Sequence, residues 1–181
     1  NGRRLFFHLY NGSELIYTAK CKTKSAHHVY IMKGNDAHLG SDADALILIG
    51  NDSSDFSLRK KKNLGSEVMT VRILPPKTTA DTTRKMTVSF FTPFDGTPAK
   101  IFTKKPCLSP NGKIEHDFEG KFAIESIKNA VLVAKHNGPK MMSIRKTGED
   151  SLEIEPKFEH EDLWIFAIGI ASFLSRVKGV K

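Results

Sequence analysis

The sequence predicts a mainly β domain in which about a dozen short strands form a barrel around one buried C-terminal helix. Short runs rich in β-branched and aromatic residues alternate with turn signals along most of the chain. A run near the C-terminus, 163–174, is apolar on every face, so it must be buried. The chain has 181 residues, enough for a single domain, 1–181, with a sizeable core.

The predicted strands are short and each is bounded by turn residues. Asn11-Gly12 indicates a hairpin between the first two strands, and Pro75-Pro76 ends the sixth. The polar segment Lys77–Thr83 is expected to be a surface loop. The strands are predicted at Leu5–Tyr10, Leu15–Cys21, His28–Met32, Ala45–Ile49, Phe56–Arg59, Glu67–Leu74, Lys85–Phe91, Lys100–Thr103, Lys113–Phe118, Ala130–Ala134, Met141–Lys146 and Ser151–Glu155.

The last element is predicted to be a helix over Asp162–Ser175. Acidic residues precede it and basic residues follow it, which suits the dipole of a helix. Twelve helical residues span only about 18 Å, too little for a bilayer core of about 30 Å. We therefore expect a core helix, with Ile165, Phe166, Ile168 and Ile170 almost fully buried.

The charge balance favours an anionic partner, because Lys and Arg outnumber Asp and Glu by 28 to 20 and the net charge is +8. An inert basic surface is the alternative. The two cysteines lack metal-ligand spacing and are too few for a disulfide scaffold, so a reducing compartment is expected. We expect no signal peptide, and the start without Met suggests that an N-terminal region is missing.

Three stretches resemble the C-terminal domain of the tubby family. Ile165–Phe173 is similar to the family's closing Ala-Phe-Ala-Ile-Ala-Leu-Ser-Ser-Phe. Phe118–Phe122 followed by Ser126–Asn129 resembles Phe-His-Gly-Arg-Val and Ser-Val-Lys-Asn-Phe, and Arg84–Val88 resembles Arg-Lys-Met-Ser-Val. Their order and C-terminal position are more specific than any one motif, and the likeness is strongest after Arg84.

The resemblance implies a closed barrel of twelve antiparallel strands threaded by a hydrophobic helix. It also implies binding of membrane phosphoinositides by a monomeric adaptor, in some family members for delivery of protein cargo to cilia. The expected location is cytoplasmic and peripheral, at the plasma membrane or the cilium, with the nucleus as a further option.

The family binds its headgroup through a Lys-x-Arg pair on one strand, because alternate strand residues face the same side. The preferred alignment places Ile47 and Ile49 at these positions, whereas a rival alignment keeps Lys33 but replaces the Arg with Asn35. Both alignments break the pair, so altered headgroup specificity is expected. Arg84 matches an Arg that the resemblance assigns to the site, and Lys85 follows it.

Other basic residues extend the candidate phosphoinositide site. Lys20, Lys22 and Lys24 recur at period two, so one strand face could present three ammonium groups. The alternative is an edge strand protected from aggregation by its lysines. The basic run Arg59–Lys62 reads as a solvated turn or as a contact with an anionic surface.

The sequence argues against an enzyme, and no cofactor or metal is expected. Glycine-rich phosphate loops are absent, and the adjacent pair His27-His28 would point to opposite faces of a strand. His116 beside Asp117 is expected on a strand surface. The alternatives to lipid binding are a protein-interaction scaffold that has lost it and a nucleic-acid-binding module, which lacks an evident stacking platform.

Overall fold

The computed structural model of the protein describes residues 4–22, 27–35, 43–60, 65–74, 84–108, 110–112 and 114–175. The predicted loop Lys77–Thr83 and the candidate Lys24 lie outside these residues. The elements are β1 (Arg4–Asn11), β2 (Glu14–Lys22), β3 (His28–Lys33), β4 (Ala45–Ile49), β5 (Asp55–Lys60), β6 (Glu67–Leu74), β7 (Lys85–Phe90), β8 (Lys100–Thr103), β9 (Cys107–Leu108), β10 (Ile114–Glu115), β11 (Ala130–Val133), β12 (Lys140–Gly148), β13 (Ser151–Pro156) and α1 (Asp162–Leu174).

The predicted strands are confirmed to within one or two residues at most boundaries, because alternation and turn residues define them well. The first hairpin turns at Gly12, which adopts a positive φ of 59° as the Asn11-Gly12 signal requires. The exception is the predicted strand Lys113–Phe118. It is reduced to β10, which pairs with the short strand β9 that the sequence pattern did not indicate.

Eleven strands form one antiparallel sheet in the order β1-β2-β3-β4-β5-β6-β7-β8-β11-β12-β13. Consecutive strands pair throughout, except that β8 pairs with β11. In the described part of the chain β1 and β13 are the two edges and the sheet is not closed by hydrogen bonds. A mainly β fold is therefore confirmed, whereas a barrel closed by hydrogen bonds is not.

The helix α1 lies against the inner face of this sheet and forms the centre of the core. Ile165, Phe166, Ile168 and Ile170 are all buried, as predicted. The Trp164 ring lies 4.9 Å from that of Phe90, centroid to centroid, and joins β7 to the start of the helix. No helix among the described residues has the length and apolarity that crossing a membrane requires.

Part of the sheet's outward face is covered by the chain itself. All four residues of β11 are buried, so neither face of this strand meets solvent. The segment that covers it includes Phe122 and Ile124. The Ile124 amide fixes this segment to β12 by donating a hydrogen bond to the Lys146 carbonyl at 2.7 Å. Arg145 is buried beneath it, donates to the Phe122 carbonyl at 2.6 Å and forms an ion pair with Glu153 at 2.8 Å.

Candidate anion-binding face

The candidate site is the outward face of β1, β2 and β3, at one edge of the sheet. Alternation along each strand places its members on the same side, and strand pairing aligns them in rows. We call it the basic–aromatic face, and it consists of Arg4, Phe6, His8, Tyr10, Thr18, Lys20, Lys22, His28, Tyr30 and Met32.

Cations and aromatic rings are interleaved on this face. The Lys20 ammonium lies 5.1 Å from the centroid of the Phe6 ring, and Phe6 is 55% exposed. On the neighbouring strand the rings of His28 and Tyr30 meet edge to face at 4.9 Å. The Lys20–Phe6 contact is a cation–π pair, which holds the ammonium at the surface without neutralising it.

The positive charge of this face is not balanced by any counterion in the described part of the chain. Arg4, Lys20 and Lys22 form no ion pair with any residue that the structure describes. None of the face's ten described positions is Asp or Glu. Arg4 and Lys22 are direct cross-strand partners, and like charges in this arrangement repel each other. An anion between them would relieve that repulsion, so the arrangement suits an anionic ligand.

Of the predicted phosphoinositide-binding residues that the structure describes, only Lys20 and Lys22 lie together on this face. Because β2 pairs with both β1 and β3, the alternative of a protected edge strand is wrong. Lys33 pairs with Tyr17, whose ring stacks on Phe166 of the core helix, so Lys33 has the opposite strand parity to Lys20. Lys85 is exposed on β7, four strands beyond β3 in the sheet.

Arg84 forms its hydrogen bonds inside the protein rather than at the surface. Its side chain is buried, with 5% of the residue exposed. The guanidinium donates to the carbonyl oxygens of Ile127, at 3.0 Å, and Ser172, at 3.2 Å, and to the Ser175 hydroxyl. Burial lowers its pKa to about 10, so it remains charged at neutral pH. The cation thus caps the negative end of the helix dipole and ties α1 to β7.

On β4, the two residues that the preferred alignment places at the Lys-x-Arg positions point into the core. Ile47 and Ile49 are 1% and 8% exposed and belong to the core cluster. Both side chains therefore point inward, so these positions cannot form part of an outward-facing headgroup site. The outward positions of β4 are Leu46 and Leu48, and neither carries a charge.

The two described residues of the basic run, Arg59 and Lys60 at the end of β5, also contact other parts of the protein. Lys60 forms an ion pair with Glu161 at 2.7 Å, next to the start of α1. Arg59 donates to the Gly65 carbonyl at 3.2 Å and approaches the Glu67 carboxylate at 4.0 Å. Lys61 and Lys62 lie outside the described residues. These two cations therefore connect the end of β5 to the start of β6 and to the start of α1.

Sequence reasoning missed Arg4, Phe6, His28 and Tyr30. The Asn11-Gly12 signal predicted the hairpin but not this pairing, because a β-bulge beside Leu9 and Tyr10 shifts the register by one residue before Arg4 meets Lys22. His116 was expected at the surface, yet both its ring nitrogens are buried without a hydrogen-bond partner among the described residues. Its burial lowers the pKa of the imidazole below its ordinary value. It lies in a cavity of about 50 Å³.

No protein-family model matches this chain, and a search of curated proteins finds no match either.

Proposed function

We propose that the domain is a non-catalytic, divergent tubby-like module that binds an anionic membrane surface, phosphoinositides included, through the basic–aromatic face. The observation that carries the proposal is the set of three cations, Arg4, Lys20 and Lys22, which form no ion pair with a described residue and lie beside exposed aromatic rings. Each Lys or Arg held near an anionic bilayer contributes about 1 kcal/mol of binding free energy. Aromatic rings such as Phe6 favour the interfacial layer of the membrane.

Headgroup selectivity is expected to be weak. A selective site needs convergent cations, ideally with a bidentate Arg. The described Arg84 is committed to the helix, and the outward positions of β4 hold leucines. Binding should therefore follow the charge density of the membrane, fall steeply with salt and show no preference for the 4,5-bisphosphate.

The test is co-sedimentation of the protein with vesicles of phosphatidylcholine alone, with phosphatidylserine added, or with phosphatidylinositol 4,5-bisphosphate added at matched charge. We expect binding to both anionic vesicles and its loss between about 0.05 M and about 0.3 M salt. Tight binding to the bisphosphate alone that persists at high salt would contradict the proposal. Binding to neither kind of anionic vesicle would favour a protein-interaction scaffold.

A matched pair of variants locates the surface. Lys20→Glu with Lys22→Glu reverses two charges on the basic–aromatic face and should abolish vesicle binding. Lys85→Glu with Lys100→Glu makes the same change in net charge on β7 and β8, where both lysines are exposed. This control should retain most of the binding. If instead the control loses binding and the first variant keeps it, the site lies around Lys85.

Single-stranded nucleic acid is the second candidate ligand, because one cross-strand row places Phe6, Lys20 and Tyr30 side by side. Aromatic rings next to cations on a sheet surface form the usual platform for stacked bases. The same two variant pairs, titrated with labelled oligonucleotides, distinguish the candidates. Oligonucleotide binding that is tighter than vesicle binding at equal salt would make this the preferred function.

A further inference from the structure

A depression lies on the outward face of the sheet, over β4 to β8 and away from the basic–aromatic face. It is an open trough of about 580 Å³. Its floor carries the hydroxyl side chains of Ser57, Thr70, Thr87 and Ser89, which come from three adjacent strands. None of the proposed membrane-binding residues contributes to it.

Strand register explains why a trough forms here. Ser57 pairs with Thr70, and Thr70 pairs with Ser89, so small side chains occupy neighbouring positions across the sheet. Longer side chains surround them, because Leu48 pairs with Ser57 at one end of the row and Lys100 pairs with Ser89 at the other. Small residues between long ones leave a depression that a ligand can fill.

The hydroxyl groups of the floor have unused hydrogen-bonding capacity. The side chains of Thr70, Thr87 and Ser89 form no hydrogen bond with any residue in the part of the chain that the structure describes. Ser57 differs, since its hydroxyl donates to the Glu67 carboxylate. Each free hydroxyl can both donate and accept one or more hydrogen bonds.

The charges around the trough balance. The Arg72 guanidinium donates to the Asp55 carboxylate at 2.6 Å, and this pair forms one side of the rim. Glu67 and Lys100 supply one negative and one positive charge elsewhere on the rim. The described residues that line the trough therefore carry no net charge, unlike those of the basic–aromatic face, and they offer fixed donors and acceptors to a ligand that has both.

We propose that this trough binds a neutral, polyhydroxylated ligand, that is, a carbohydrate or a cyclitol. Vicinal hydroxyls can donate to Asp55 and Glu67 and accept from Arg72 and Lys100 while they exchange hydrogen bonds with the floor. Leu48, which is 38% exposed, provides an apolar wall for the C–H face of a sugar ring. An anionic ligand would gain from Lys100 but would be repelled by both rim carboxylates.

The experiment is an NMR titration of the ¹⁵N-labelled chain with glucose, galactose, N-acetylglucosamine and myo-inositol, alongside inorganic phosphate and inositol trisphosphate. We expect a neutral member of this panel to shift the amide signals of Thr70, Thr87 and Ser89, and to leave those of Lys20 and Lys22 unchanged. Shifts caused only by the phosphorylated probes, or by none of the probes, would overturn the proposal.

A hydroxyl-deletion variant provides the decisive control. Thr70→Val with Thr87→Val keeps the shape and the strand preference of both side chains but removes two hydroxyls. Binding of the neutral probe should weaken by about tenfold or more, with an unchanged melting temperature. Thr147→Val, on β12 and outside the trough, should leave binding as in the wild type. Equal affinity in the double variant and the wild type would overturn the assignment to the trough.

Discussion

Cations on the outward face of β1–β3 and a cation beside β7 on the inner side of the sheet have opposite roles. On the outward face of β1–β3, Lys20 and Lys22 lie at the surface without ion-pair partners among the described residues. On the inner side Arg84 is buried and donates to carbonyl groups at the end of α1. The comparison teaches that a basic residue in a family-like motif can stabilise the fold rather than bind a ligand. The surroundings of each side chain decide between these roles, since Arg145 is also buried and donates to a carbonyl group although it lies on the covered part of the outward face.

The largest effect should follow from placing charges on the inner side. Ile47→Lys with Ile49→Arg, the change that would restore the Lys-x-Arg pattern at the predicted alignment, buries two unpaired cations and should cost more than about 4 kcal/mol. Leu48→Lys is the outward control on the same strand and should change stability by about 0.5 kcal/mol or less. Chemical denaturation measures both, and a stable inner double variant would refute the assigned orientation of β4.

Two phenylalanines offer the same comparison with one residue type. Phe166 is 4% exposed and stacks on Tyr17 at 6.2 Å, whereas Phe6 is mostly exposed on the outward face. Phe166→Ala should destabilise the domain by about 3–5 kcal/mol, the usual range for truncating a large core side chain. Phe6→Ala should change stability by about 0.5 kcal/mol or less but weaken vesicle binding. Unchanged melting of the Phe166 variant would defeat the architecture.

Arg84 and its neighbour Lys85 test whether the motif is structural. Arg84→Ala leaves the carbonyl groups of Ile127 and Ser172 without their donor and should cost about 2–4 kcal/mol. Lys85→Ala, at an exposed site, should leave the melting temperature nearly unchanged. We expect vesicle binding by the folded fraction of the Arg84 variant to stay close to that of the wild type. A selective loss of lipid binding at full stability would instead make Arg84 a ligand residue.

The smallest effect concerns the covered stretch of the outward face, where His116 is buried. Its pKa is lowered in the folded state, so the unfolded chain binds more protons below the ordinary value of 6.5. The domain should therefore lose stability as the pH falls from about 7 to about 5, and His116→Phe should lose less. Melting temperatures across this range measure the difference. Equal slopes for the variant and the wild type would show that the buried imidazole makes no contribution.

Most of the fold could be predicted because its signals are local. Alternation and turn residues define the long strands. A run that is apolar on every face, such as 163–174, must be buried to be stable. The strand β9 could not be predicted, since Cys107 and Leu108 are too few residues to show a period. The lack of strand pairing between β1 and β13 in the described residues depends on long-range geometry, which residue patterns do not encode.

The candidate site was harder to predict, because a site depends on which way each side chain points. Leu46, Ile47, Leu48 and Ile49 are all apolar, so the sequence of β4 does not distinguish its two faces. Arg84 lies in a motif whose pattern is equally compatible with a ligand contact and with a helix cap. Lys20 and Lys22 were found because, with Lys24, they recur at the period of two that places residues on one face of a strand.

The position of α1 after all the described strands has a consequence for synthesis of the protein on the ribosome. Every strand of the sheet emerges before Trp164 and Phe166, so the nascent sheet has no filling for its apolar inner face. At 5–20 residues per second, about ten to thirty seconds separate the emergence of β1 from that of the helix. During this interval the nascent chain exposes Val71, Val88 and Ile101, which are buried in the finished domain. The apolar inner face of the sheet therefore lacks its covering helix until translation reaches the last element.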